Sequence, residues 1–324
     1  MKVLWTHNFN PKEENSGVFM YIFARGMRAL GFEIDLHYLG QLNNPRDFYR
    51  SISDVAAISE NYDIVHAQYG SACSIVTSFA KCAKVLSLRG SDWYRYEKGR
   101  INYTNAHSYL AVAMSKYSLS KYNSIIVMSR RMRSEVLSVN SKVSIDVLTD
   151  PVDLNQFMPI DKELAREKLG QYGDRTRWIL FTTLSINNPI KRLDLARKAV
   201  DIVRKNYGPV ELKVASGVPH DQMPTFVASC DMALITSLHE GWPNCVKEAL
   251  ACNLPFVSTD VSDLSDIAAL DSSCRICSDN PQEIANAIIN ALSAPKRDFS
   301  HFLDGMDIES TCGRLVKIYQ RIVN

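Results

Sequence analysis

Two carboxylates with seven residues between them, Glu240 and Glu248, lie in the segment TSLHEGWPNCVKEALACNLPFVSTDVSD (236–263). An apolar run, MALITS, leads into a polar loop holding Glu240 and Gly241. Pro243 then fits the first position of a helix, where its missing N–H costs nothing. That helix is expected to run to about Cys252. The free backbone N–H groups of residues 244–246 can hold an anion such as a diphosphate. Glu248, one turn further in, comes within reach of a ribose diol, and Glu240 stands beside whatever the diphosphate carries. The spacing thus places the two carboxylates at opposite ends of a nucleotide sugar. A capped, solvated helix with two surface glutamates explains the same residues, and on charge alone it is the simpler explanation.

Other phosphate and metal chemistries lack their residues. No G-x-G occurs, so the dinucleotide fingerprint is absent; Gly26 and Gly31 have P-loop spacing, but Phe32 follows where lysine is required. No D-x-D pair is present to hold a metal on a diphosphate, and no metal site is expected. Cys274 and Cys277 form one C-x-x-C, but a structural zinc site needs a second pair, and the other six cysteines are scattered singly. They read as small buried hydrophobes in a reducing compartment. Among the histidines, His66 ends a strand and is either a pocket residue or a packed core residue. His239 adjoins Glu240, and His7 follows the first strand.

The elements that must position these residues alternate regularly. In the first half KVLW, EIDLHY, DIVHA, KVLSL, SIIVMS and VSIDVL read as strands, and helical spacing appears around 17–30, 70–80, 106–118 and 129–139. In the second half WILFTTL, ELKVAS, MALITS, PFVST and CRIC are strands, with helices near 192–205, 244–252 and 281–293. Strands this apolar, separated by helices, indicate parallel sheets covered on both faces. The periodicity breaks at DPVDLNQFMPIDKE (150–163). The fold class expected is α/β, with two Rossmann-like doubly wound domains facing across a cleft. Their boundaries fall at 1–153 and 154–305, and a terminal helix over 306–324 packs back towards the first domain. In such sheets ligands bind beyond the carboxyl ends of the strands. A chain of 324 residues also suits two domains, and 46% hydrophobic with 22% charged residues is ordinary for a globular protein. The longest apolar run, residues 18–24, is seven residues against the ~20 of a membrane-spanning helix. MKVLWTHNFN does not read as a secretory signal. A cytoplasmic protein is expected.

With these elements in place, several motifs carry a resemblance. EGWPNCVKE is similar to the E-G-x-x-x-x-x-x-E signature of the retaining glycosyltransferases of family 4, which have the GT-B fold. ASCDMALITS before it, ALACNLPFVSTDV after it and the passage VLTDPVDLNQFMP also have family counterparts. NPIKRLDLARKAV resembles the donor-phosphate loop of bacterial surface-polysaccharide members. ENSGVFMYIFARGMRALGFEIDL resembles the N-terminal glycine loop and its helix, and YDIVHAQYG and SLRGSDWY match in order. The resemblance implies a retaining, metal-independent hexosyltransferase that uses a nucleoside diphosphate sugar, uridine rather than guanosine, and no cofactor. It implies that Glu240 contacts the donor sugar, that Lys191 neutralises the diphosphate with Arg192 as a helper, and that Glu248 holds the ribose. Gly241, Trp242, Pro243, Asn244 and Cys245 complete the donor site. Ser16, Gly17, His66, Arg89 and Asp92 are expected on the acceptor side, Gly17 by letting its loop approach the ligands closely. The sequence departs from the family in TTLSINNP, which lacks a G-R pair, in Arg89, where many members have His, and in Pro151, in place of a glycine. The other readings are a sugar-nucleotide epimerase of the same fold and a non-catalytic binding subunit.

Charge points to further partners. Net charge is +2, but residues 81–145 hold 12 basic residues against Asp92, Glu97 and Glu135, with seven Trp and Tyr interleaved. A solvated face accounts for this equally well. With a glycan or lipid-linked acceptor, the stretch is expected to touch anionic lipid at the inner face of the plasma membrane, with Arg130, Arg131 and Arg133 among its cations. No nucleic acid partner is expected.

Overall fold

The computed structural model describes residues 1–13, 16–96, 103–173, 175–295 and 297–323, and of residues 103–105 the backbone alone. It divides into two compact units, Met1–Pro151 with Ile308–Asn324, and Val152–Asp307. The second unit begins and ends where it does because Val152 donates its N–H to the Met306 carbonyl and bridges to Asp307.

The first unit is a six-stranded parallel sheet built from β1 (Lys2–His7), β2 (Glu33–Tyr38), β3 (Ile64–Ala67), β4 (Ala83–Leu88), β5 (Ser124–Val127) and β6 (Ile145–Val147), in the order β2-β1-β3-β4-β5-β6. Helices α1 (Val18–Ala29), α2 (Pro45–Ile58), α3 (Ser71–Thr77), α4 (Tyr103–Ser118) and α5 (Arg130–Val139) connect the strands. Val3, Ile64, Val65, Val85, Leu86, Ile125 and Val127 are fully buried, as strands covered on both faces require. Helix α2 is not evident from apolar spacing, yet its start is written in the sequence: Asn44 Oδ1 accepts the Arg46 N–H, and Pro45 occupies the first turn.

The second unit contains α6 (Lys162–Lys168), β7 (Arg177–Thr182), α7 (Leu193–Asn206), β8 (Val210–Ala215), α8 (Met223–Ala228), β9 (Met232–Ile235), α9 (Asn244–Ala251), β10 (Phe256–Thr259), α10 (Leu264–Leu270), β11 (Arg275–Cys277) and α11 (Pro281–Ser293). Its parallel sheet runs β11-β10-β9-β7-β8. Asp231, before β9, ties the opposite end of this sheet together. Its carboxylate accepts from Lys162 and Arg177 at 2.8 Å, from Arg166 at 3.1 Å and from the Trp178 N–H at 2.8 Å. These donors outweigh burial and hold its pKa below the usual value.

Helix α12 (Ile308–Val323) belongs to the first unit. It packs on α1 at Gly26, where a Cβ would meet Ile308 Cγ2 at 2.5 Å and Cys312 Sγ at 2.7 Å. Gly26 is therefore a packing glycine, not part of a phosphate loop. Among the described residues, no helix is long and apolar enough to cross a membrane.

Candidate functional site

In the second unit β7 and β9 are neighbours, with β8 beyond one and β10 beyond the other. The chain order reverses between them, and such a reversal opens the ligand-binding crevice of a doubly wound sheet. The loop leaving β7 carries Lys191, and the loop leaving β9 carries Glu240. Parallel pairing brings the two together although 49 residues separate them: Lys191 Nζ donates to Glu240 Oε1 at 2.6 Å. The Ser237 hydroxyl donates to the same oxygen at 2.6 Å. Burial pulls the Lys191 ammonium towards neutrality, but Glu240 outweighs it, and the net pKa is raised. The ammonium is thus charged and already neutralised by the carboxylate that the sequence assigns to the sugar.

The two loops are fastened to each other by hydrogen bonds. Leu238 donates its N–H to the Ile190 carbonyl, and the Thr236 hydroxyl lies 2.7 Å from the Lys191 carbonyl. Arg192 sits at the start of α7 in the left-handed region, φ 52. Its buried guanidinium donates to the Thr236 and Ser237 carbonyls and pairs with Asp279 at 2.6 Å. These donors brace the framework that holds Lys191. Ser262 donates to the Gly241 carbonyl at 2.6 Å, setting the loop before α9.

Helix α9 begins at Asn244, with Pro243 as its uncapped N-cap residue. Of the three N–H groups expected to be free, that of Val246 already donates to the Pro243 carbonyl at 3.0 Å, since the chain closes a turn there. Among the described residues, Asn244 Oδ1 is buried with no hydrogen-bond partner, as is Thr182 Oγ1 at the end of β7. Trp242 is buried beneath Lys247, whose fully buried ammonium lies 5.5 Å over the indole ring. Glu248 follows. Among the described residues its carboxylate has no hydrogen bond or ion pair, and burial pushes its pKa up to about 7 against the pull of Lys247. Burial likewise pushes the Cys245 thiol up to about 12, so it is not a thiolate nucleophile. His239 is half-buried beside Glu240, and burial holds its pKa down.

The residues expected on the acceptor side are mostly absorbed by the first unit. Both nitrogens of His66 are taken, by the Tyr319 hydroxyl at 2.6 Å and the Ser87 hydroxyl at 2.8 Å. Trp5 Nε1 donates to Tyr319, so the Tyr319 hydroxyl donates in turn to Nδ1, and His66 carries its hydrogen on Nε2, facing Ser87. It is a neutral core histidine that clasps α12, with its pKa held far down by burial. Arg89 donates to the Gln68 carbonyl and side-chain oxygen at 2.7 Å, pairs with Asp150, and lies 4.2 Å over the Phe19 ring. Asp92, fully buried, accepts the N–H groups of Gly70, Arg89 and Gly90. Burial nevertheless raises its pKa. Gly17 has φ 71, and a Cβ there would meet the Phe9 ring at 2.9 Å, so its own loop is what approaches it. Ser16 is half-buried and donates its N–H to the Glu13 carbonyl. His66, Arg89, Asp92 and Gly17 thus each bond or pack within the first unit.

Residues 177–294, from the first residue of β7 to the end of α11, match the family model described as Glycosyl transferases group 1. That match lies within the second unit, and the fold, two parallel-sheet Rossmann-like units, matches solved GT-B glycosyltransferase structures. The chain is 25% identical to the putative teichuronic acid biosynthesis glycosyltransferase TuaC of Bacillus subtilis (strain 168), over 70% of this chain and 60% of that relative. It therefore spans less than two thirds of that protein's length. Among solved structures, sucrose-phosphate synthase of Thermosynechococcus elongatus superposes with a TM-score of 0.81 at 12% identity, covering 99% of both chains. Anabaena Alr3699/HepE in complex with UDP and glucose gives 0.72 at 13% identity, covering 99% of this chain and all of the other.

Proposed function

We propose that this protein is a retaining glycosyltransferase that moves a sugar from a nucleoside diphosphate to a saccharide or lipid-linked acceptor in bacterial surface polysaccharide synthesis. The observation that carries this is the charge arrangement at the strand reversal of the group 1 domain. A lysine and a glutamate are paired there, and a second carboxylate stands unpaired on the following helix. The relative in teichuronic acid synthesis and the UDP-bound neighbour favour a UDP-sugar and a surface-polysaccharide acceptor.

In this reading Glu248 accepts hydrogen bonds from the ribose diol, and Asn244 Oδ1 finds the donor it lacks. The N–H groups of Asn244 and Cys245, with Gly241, Trp242 and Pro243 shaping the turn, take the diphosphate. Lys191 supplies positive charge as the leaving diphosphate gains negative charge, which is the electrostatic stabilisation that transfer requires. Glu240, released from Lys191 by the incoming phosphates, faces the sugar, where positive charge develops. Lys191 carries the cationic role here, so no metal is required.

A panel of UDP- and GDP-sugars tests the reading by thermal shift and by donor turnover. A ligand at 100 times its Kd adds about 2.7 kcal/mol to stability. A UDP-sugar is expected to raise Tm and to be consumed with an acceptor present. No shift with any nucleotide sugar rejects the proposal, and consumption of donor to an isomeric nucleotide sugar without acceptor turns it to an epimerase.

A further inference from the structure

The cations of the first unit are not confined to the stretch 81–145, of which residues 97–102 lie outside the described residues. Helix α12 carries Arg314, Lys317 and Arg321, whose spacing sets them on one face. Beside them runs β6, the last strand of its sheet and therefore an edge. Together Asp146, Val147, Arg314, Lys317, Ile318 and Arg321 line a cleft of about 180 Å³.

Two of the three cations are held in place from the strand. Arg314 Nη2 donates to the Val147 carbonyl at 2.6 Å. Arg321 Nη1 donates to Asp146 Oδ1 at 3.2 Å, and its Nη2 to the other carboxylate oxygen. Ser124 Oγ, on β5, donates to the same carboxylate at 3.1 Å. Asp146 is the one acid of the lining, so three positive charges meet one negative. Among the described residues Lys317 has no hydrogen bond or ion pair, and Arg314 has no carboxylate partner. A helix dipole favours cations in the last turns. It does not account for two guanidiniums tied to the neighbouring strand with an unpaired ammonium between them.

We propose that this cleft binds one acidic unit of a saccharide chain, its carboxylate between Arg314 and Lys317 and its ring on Ile318. A guanidinium presents five donors in a planar fork, and Arg314 turns only one terminal nitrogen to Val147, leaving other N–H groups for a carboxylate. Because the fork is already oriented, less freedom is lost on binding. The cleft is smaller than the roughly 300–1,000 Å³ that encloses a whole small ligand, so it suits one unit of a longer chain or a lone ion. The buried Ile318 and the aliphatic stems of the cations decide between these two. A sugar ring has an apolar face to set on such a floor, and a bare ion has none. An acidic peptide adding a strand is disfavoured, because Arg314 already holds a carbonyl of β6. The choice of a saccharide rests on the polysaccharide reading above; the excess of positive charge does not.

Titration of the full chain with trigalacturonate, maltotriose, inorganic phosphate and triglutamate, without donor, tests the assignment. Trigalacturonate is expected to bind about tenfold or more tightly than maltotriose, and to weaken as salt is raised. Lys317→Glu should weaken it about tenfold and Lys317→Gln less, both with Tm unchanged, since that side chain is exposed and unpaired. Asp146→Asn should act in the opposite sense and tighten binding about threefold, because a competing anion is removed. Lys168→Glu changes net charge as Lys317→Glu does, but lies on α6 of the second unit and should leave binding unchanged. Equal binding of trigalacturonate and maltotriose overturns the proposal. So does an equal response to Lys317→Glu and Lys168→Glu. Phosphate or triglutamate binding as tightly as trigalacturonate, with the same loss in Lys317→Glu, makes the cleft a general anion site and overturns the saccharide. No donor enters the titration, so its failure and that of the donor panel are read separately.

Discussion

At the carboxyl ends of its strands the first unit satisfies its charged side chains internally, whereas the second leaves charge within reach of a ligand. Asp92 binds three backbone N–H groups, and Arg89 is shared among Gln68, Asp150 and the Phe19 ring. Among the described residues of the second unit Glu248 has no partner, and the Lys191 and Glu240 side chains are held only by each other and a hydroxyl. Both units present the same parallel sheet and the same reversal of strand order. Equivalent topology therefore does not imply equivalent chemistry; what differs is whether the loops supply their own counter-groups.

The largest expected effect tests the closed side. Asp92→Ala strands three N–H groups and should lower stability by about 3–5 kcal/mol in urea unfolding. Near-native stability with lost turnover would break the comparison and return Asp92 to a working site. Next comes the ion pair on the open side. Glu240→Gln should lower kcat about 100-fold, some 2.7 kcal/mol, because the carboxylate acts on charge that develops in transfer. UDP should bind the variant at least as tightly, since Lys191 loses its competing anion. A parallel fall in UDP affinity would mean that Glu240 shapes the pocket rather than the reaction.

Glu248 gives a smaller effect with a pH signature. Its pKa is raised from 4.5 to about 7 in the folded state, so its contribution to stability is fully present below about 4.5 and is lost as pH rises through 7. Glu248→Gln should therefore stabilise the protein by about 1–2 kcal/mol at pH 8, allowing for partial exposure, and hardly at all at pH 4.5. Ribose hydroxyls bond the ionised form, so UDP affinity should rise between pH 6 and pH 8 in the native chain and stay flat in the variant. A pH-independent difference in melting temperature would show that the carboxylate is not buried as described. The smallest expected effect is none: donor turnover should persist in excess EDTA, and loss restored by Mg²⁺ or Mn²⁺ would remove Lys191 from its role.

The strands were legible almost to the residue because each is a short β-branched run. Helices α6, α8 and α10, of six or seven residues, were not, although α3 at seven residues was. Helix α2 was missed although Asn44 and Pro45 announce it. At the site, Glu240 and Glu248 could be placed because eight residues of loop and helix fix their spacing. Thr236, Ser237, Ser262 and Lys247 had no such signal, for a hydroxyl that braces a carbonyl looks like any other serine or threonine.

The sequence by itself determined the two parallel sheets and the short-range order of loop, proline and helix that carries Glu240 and Glu248. These rest on local periodicity and steric rules that act over a few residues. Only the tertiary structure decided which polar groups meet. Lys191 lies against Glu240 because β7 and β9 pair in parallel, Arg192 turns into the framework, and His66 is closed by Tyr319 from the far end of the chain. Burial and pairing are properties of neighbours in space, and those neighbours lie 44 to 253 positions away along the chain.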